Sequence, residues 1–148
     1  MSLVIKIAED LKEAMKSKDQ AALRSVRAIK AAILLFKTDG SGNALDTAGE
    51  IKILQKLVKQ RQDSLDIYEK QGREDLAVTE REEIAIIQKY LPTQLSEVEL
   101  KTTIQALITE TGATSAKEMG KVIGLANQRL AGKAEGKAIA AMVKELLN

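Results

Sequence analysis

Residues Val58 to Ser96 read VKQRQDSLDIYEKQGREDLAVTEREEIAIIQKYLPTQLS. Before Gly72, the apolar residues Leu54, Leu57, Val58, Leu65 and Tyr68 recur at about 100° per residue, the spacing of one helix face. After it, Leu76, Ile84, Ile87 and Leu91 do the same. Gly72 supplies a left-handed helix end, and Glu74 and Asp75 suit a following helix N-terminus. Pro92, the only proline in the chain, stops the second helix. The stretch is therefore a pair of helices joined by a tight turn. A charge interrupts each apolar row, Arg61 in the first and Glu80 in the second. They stand about 16 Å and about 12 Å above the turn at 1.5 Å per residue. A buried charge without a partner is very costly, so Arg61 and Glu80 are expected to form a buried or half-buried ion pair, with Glu83 as substitute acceptor. Such a pair fixes helix register or anchors a ligand phosphate. Arg73 is not explained by the turn chemistry; it has a local structural role or faces a partner.

The same period extends in both directions. Residues 3–17 place Val4, Ile7, Ala8, Leu11, Ala14 and Met15 on one face. Asp19 caps a second helix over 20–37, with Leu23, Val26, Ile29 and Ile33 inward. Asp39 to Asn43 is loop by composition, the stretch most open to disorder. Thr47 and Glu50 have capping-box spacing and open the third helix, to about Lys70; the fourth runs from about Glu74 to Leu91. Beyond Pro92–Leu95, a hinge by composition, Ser96/Glu99 and Ser115/Glu118 are two more boxes, opening helices to about Glu110 and Leu130. Gly132–Gly136 turns the chain into a last helix with Ile139, Met142, Val143 and Leu146 inward. The expected fold is all-α, a four-helix N-terminal domain over 1–91 and a three-helix C-terminal domain over 92–148.

Composition narrows the chemistry. The chain has 148 residues, no Cys and no His. Disulfides, thiol nucleophiles, zinc ligation and histidine acid–base catalysis are excluded. No phosphate-binding glycine loop is present, and Ser64 or Ser96 as nucleophile would lack a base. No cofactor, metal or membrane is expected. No run approaches the ~18 apolar residues of a span, and the N-terminus carries acids unlike a secretory signal, so a cytoplasmic protein is expected.

The net charge of +2 is mild, but basic residues gather late in the chain. Gly112 to Asn148 holds six basic and three acidic residues. On the helix after Ser115, Met119, Val122, Ile123, Ala126 and Leu130 face inward. Lys117, Gly120, Lys121 and Gly124 lie on the other side. A glycine inside an exposed helix costs ~1 kcal/mol against alanine. Two of them a turn apart either pack closely against another helix or let a ligand backbone approach, with lysines on its phosphates. Lys133 and Lys137 extend the surface, and Arg24, Arg27 and Lys30 are a second candidate. Lys52, Lys56 and Lys59 share a face with Asp63 and Asp66, a mixed solvated surface.

Several motifs together resemble the YqeY family: Lys59-Gln60-Arg61, Gly72-Arg73-Glu74-Asp75-Leu76, Tyr90-Leu91-Pro92, Gln94-Leu95, Gly112-Ala113, Met119-Gly120-Lys121-Val122 and Gly132-Lys133-Ala134-Glu135-Gly136-Lys137. In the last, Lys133 and Glu135 replace the family's usual Arg and Asp. The resemblance covers nearly the whole chain. It implies an all-helical protein related to the tail domain of the GatB subunit of the glutamine-dependent tRNA amidotransferase, which helps hold misacylated tRNA. It therefore implies tRNA, or a tRNA-modifying amidotransferase, as partner. The chemistry of that enzyme, a carbon–nitrogen ligase with glutamine as amido-N-donor, resides in other domains. Three readings follow: a non-catalytic tRNA-binding or amidotransferase-associated module, at most an accessory to the ligase; a protein–protein adaptor with an exposed apolar groove between the halves and no nucleic-acid affinity; and an enzyme with an unrecognised site.

Overall fold

Short polar side chains decide where the helices begin. In a computed structural model, which describes residues 2–42 and 44–148, Ser2 accepts the Ile5 N–H and starts α1 (Leu3–Ser17). Asp19 accepts the Ala22 N–H and starts α2 (Gln20–Lys37). Asp46, not Thr47, caps α3 (Thr47–Lys70), accepting the Gly49 N–H at 2.7 Å. The carboxylate one residue upstream displaces the expected Thr47 box. Of the expected 39–43 loop, Asn43 lies outside the described residues.

The Gly72 turn is built as the sequence suggests. Gly72 has φ +68°, and the Gly72 and Arg73 N–H groups donate to the Glu69 and Tyr68 carbonyls. It leads into α4 (Glu74–Gln88), which ends three residues before Leu91. Lys89, Tyr90 and Leu91 tighten into i→i−3 bonds ahead of Pro92. Ser96 and Glu99 form the expected box at the start of α5 (Glu97–Thr111). The Ser115 box does not form. Glu118 instead accepts the Thr114 N–H at 2.8 Å, and a single 3₁₀ turn (Ala116–Glu118) precedes α6 (Met119–Arg129). The last helix is α7 (Gly136–Leu147). The fold is all-α, with seven α-helices and no strand among the described residues.

Packing divides the chain into Met1–Leu91 and Pro92–Asn148. In the first unit, α3 packs most extensively on α4, and α2 lies against α1, α3 and α4. Val26, Ile29, Leu54, Ala77 and Ile87 fill its centre. Two expected stripes are corrected here. On α4 the core residue is Ala77, fully buried, while Leu76 is 36% exposed; the small methyl lets the helices approach closely. On α1 the core takes Leu3, Ile7 and Ala14, and Val4, Ala8 and Met15 remain exposed.

In the second unit, α5, α6 and α7 enclose Ile104, Val122, Ile139 and Val143. The residues after Pro92 are tied into it. The Leu95 N–H donates to the Lys133 carbonyl at 2.8 Å, and the Gln94 amide donates to the Gly132 carbonyl at 2.5 Å. Gln94 and Leu95, read as part of a hinge, thus fix the turn before α7. Gly132 occupies that turn with φ +79°.

Candidate nucleic-acid interface

Burial of Val122 and Ala126 fixes the rotation of α6 and so fixes what it shows to solvent. At 100° per residue, Gly120, Lys121, Gly124, Asn127 and Gln128 fall within roughly 120° of arc on the opposite side, and Lys117 sits in the 3₁₀ turn just before them. All six are exposed. A Cβ built on Gly120 or on Gly124 meets nothing within 4 Å. Close helix packing therefore does not account for the two glycines, and bare backbone faces outward there. The stripe ends at Asn127, whose Oδ1 lies 4.0 Å from where a Cβ on Gly136 would sit. This contact brings the first turn of α7 to the end of the glycine stripe. That turn carries Lys137, and Lys133 precedes it; both are exposed. The Lys133 backbone is held at both ends, its N–H on Leu130 and its carbonyl by Leu95, so its side chain leaves from a fixed turn. Among the described residues none of Lys117, Lys121, Lys133 and Lys137 forms an ion pair, whereas Arg129 on α6 is tied to Glu110 on α5 at 2.5 and 2.6 Å.

Of the other basic candidates, Arg24, Arg73 and Lys59 form ion pairs within the fold. Arg24 on α2 binds Glu82 at 2.8 Å and approaches Glu83 at 3.9 Å. Arg27 and Lys30 remain exposed. Arg73 is paired with its neighbour Asp75 through two bonds of 3.1 and 2.9 Å. Lys59 pairs with Asp63 along the mixed face of α3.

Arg61 pairs with Glu83 at 3.4 Å, and the expected Arg61–Glu80 pair is not made. The reason is direction. A helical side chain leans toward its own N-terminus, and Arg61 Nη1 donates back to the Leu57 carbonyl at 3.0 Å. This carries the guanidinium away from the Gly72 turn. Glu83 stands as many residues from that turn as Arg61 does, about 16 Å along its helix; Glu80 is a turn too low. Glu83 thus lies between Arg24 of α2 and Arg61 of α3, with 12% of its side chain exposed. Glu80 is left half-buried beside it. Burial, then the Glu83 charge, push the Glu80 carboxyl above its usual range, against an opposing pull from Arg61.

Two groups of contacts had no sequence signal. Arg81 reaches both Glu69, at 3.1 Å, and Glu74 across the Gly72 turn. The Tyr90 hydroxyl donates to Asp10 of α1, with the Lys6 ammonium 5.1 Å from the ring centre. This cluster lines a cavity of about 340 Å³ with Glu13, Asp19 and Lys89. Burial and the Asp10 hydrogen bond raise the Tyr90 pKa, so the phenol keeps its proton and is no base at neutral pH. Among the described residues no group of three metal-ligating side chains occurs, and no helix is long and apolar enough to cross a membrane.

The profile of the family described as Yqey-like protein matches residues 5–147. The chain belongs to the YqeY family. Relatives of this YqeY chain include three proteins named "Altered inheritance of mitochondria protein 41, mitochondrial". That of Lachancea thermotolerans is 36% identical over 110 residues, covering 72% of this chain and 58% of the relative. That of Vanderwaltozyma polyspora is 35% identical over 88 residues, covering 60% and 48%. That of Clavispora lusitaniae is 33% identical over 134 residues, covering 88% and 77%. The chain spans about half the length of the first two. Their names correct the expectation of a plain cytoplasmic protein. The acid-bearing N-terminal stretch speaks only to a secretory signal. It does not distinguish the cytoplasm from the interior of an organelle.

Proposed function

We propose that this YqeY-family chain is a non-catalytic helical module that binds tRNA, or a tRNA-carrying amidotransferase, through the outer face of α6 and the first turn of α7. In this reading it works as a four-helix domain, residues 1–91, followed by a three-helix domain, residues 92–148. The observation that carries the proposal is the pair Gly120 and Gly124, solvent-facing and with open space above each. An exposed helix gives up ~1 kcal/mol for each such glycine, and no packing contact compensates. Exposed backbone flanked by unpaired lysines suits a sugar–phosphate chain, which such a surface reads by shape, phosphate and 2′-hydroxyl. The resemblance to a tRNA-holding tail domain points the same way.

Charge reversal tests it. Lys121→Glu with Lys137→Glu should weaken binding of bulk tRNA about tenfold or more and flatten its dependence on salt. Both side chains are exposed, so thermal stability should hold. Unchanged affinity would sink the assignment.

A further inference from the structure

The first helix carries two apolar lines; the core takes one of them and, from the other, packs only against the half-buried Leu11. Leu3, Ile7 and Ala14 are buried. The neighbouring line of Val4, Ala8, Leu11 and Met15 has the i, i+4, i+7, i+11 spacing of a helix-packing stripe. Yet Val4 is 37% exposed and Met15 57% exposed. On α2, Leu34, 61% exposed, continues this surface beside the buried Ile33. These residues form an open groove of about 360 Å³ between α1 and α2. Among the described residues its only charged lining residues are Lys12, Lys30 and Lys37. From Val4 to Met15 it is about 16 Å long, three helical turns.

We propose that this groove docks an amphipathic helix of a partner protein, with a leucine-type stripe bordered by Asp or Glu. Helices enter such grooves through apolar anchors at i, i+3 or i+4 and i+7. Three lysines and no carboxylate on the walls select an acidic border. The occupant is not a second copy seated groove to groove: an isologous pair would set lysines against lysines. A membrane surface is better met by a protruding apolar ridge than by a trough between two helices. The proposal goes beyond the tRNA reading and does not depend on it, because the groove and the α6 face belong to different units of the chain.

The test uses the intact chain and two labelled synthetic helices of about 14 residues. Both carry the same leucine stripe; one has glutamate borders and the other lysine borders. In fluorescence anisotropy at low salt the acidic peptide should bind and the basic one should bind about tenfold more weakly. Amide chemical-shift changes should map to α1 and the second half of α2. Leu34→Asp should cut affinity at least about tenfold, with no loss of thermal stability because the side chain is exposed. Lys30→Glu with Lys37→Glu should reverse the preference between the peptides. Absence of binding by either peptide overturns the proposal, as does equal binding of both. Adsorption to phosphatidylglycerol vesicles without peptide binding would assign the groove to a lipid surface, also against it. A concentration-dependent dimer lost in Leu34→Asp would assign it to a second copy, again against it.

Discussion

Glu80 and Glu83 lie one turn apart on α4; Arg61 pairs with Glu83 and acts on Glu80 only through its charge. Arg61→Ala leaves Glu83 with Arg24 alone, at 3.9 Å, and leaves Glu80 without its opposing charge. The loss should be about 2 kcal/mol, below the cost of breaking a fully buried pair, read as a lower urea midpoint at constant slope. Unchanged stability would contradict the pairing. Glu80→Gln should do the reverse. The folded state raises the Glu80 pKa, so the group's stabilising contribution is full below its unfolded pKa of about 4.3 and is lost as pH rises through the folded value. Glutamine stays uncharged at every pH. The variant should therefore melt higher than wild type at neutral pH, and the gap should close toward pH 4. A gap that widens on acidification would refute the assignment. Lys18 is the one residue other than glycine with positive φ among those described, at +57°. Lys18→Gly should gain up to about 1 kcal/mol by relieving it, and calorimetry would show it.

At the scale of elements, Gly120→Ala and Gly124→Ala should each stabilise α6 by about 1 kcal/mol, since a methyl has open space at both positions. A lower melting temperature would mean that the glycines are needed for folding. The helices themselves were legible because Gly72 and Gly112 end them in left-handed turns and because the 3.6-residue period runs through α2, α5 and α7. What was not legible is rotation within a broad apolar face. Periodicity marks a sector, and adjacent lines such as 3/7/14 and 4/8/11/15 differ by one residue, so only the neighbours decide which is buried. Capping had the same limit at Asp46 and Thr47, where two capable side chains compete for one helix end. The candidate face of α6 was readable because lysines and glycines there stand against an apolar stripe. The contacts of Tyr90 with Asp10 and of Gln94 with Gly132 join residues 80 and 38 positions apart. No local pattern carries them.

Over the whole molecule, the chain is an all-α member of the YqeY family without the chemistry for catalysis by cysteine or histidine. Its two unpartnered surfaces differ in kind. One is apolar and lysine-rimmed, between α1 and α2; the other is bare backbone between lysines on α6. We propose a protein helix as the occupant of the first and a polyanion as the ligand of the second. The central claim is that the α6 face meets tRNA. It is tested most directly by titrating bulk tRNA, with duplex DNA alongside, into the wild-type chain and the Gly120→Ala/Gly124→Ala variant at two salt concentrations. The account predicts salt-sensitive binding that prefers tRNA and that the alanines weaken several-fold even as they raise the melting temperature. No tRNA binding at low salt, or binding indifferent to the two alanines, would contradict it.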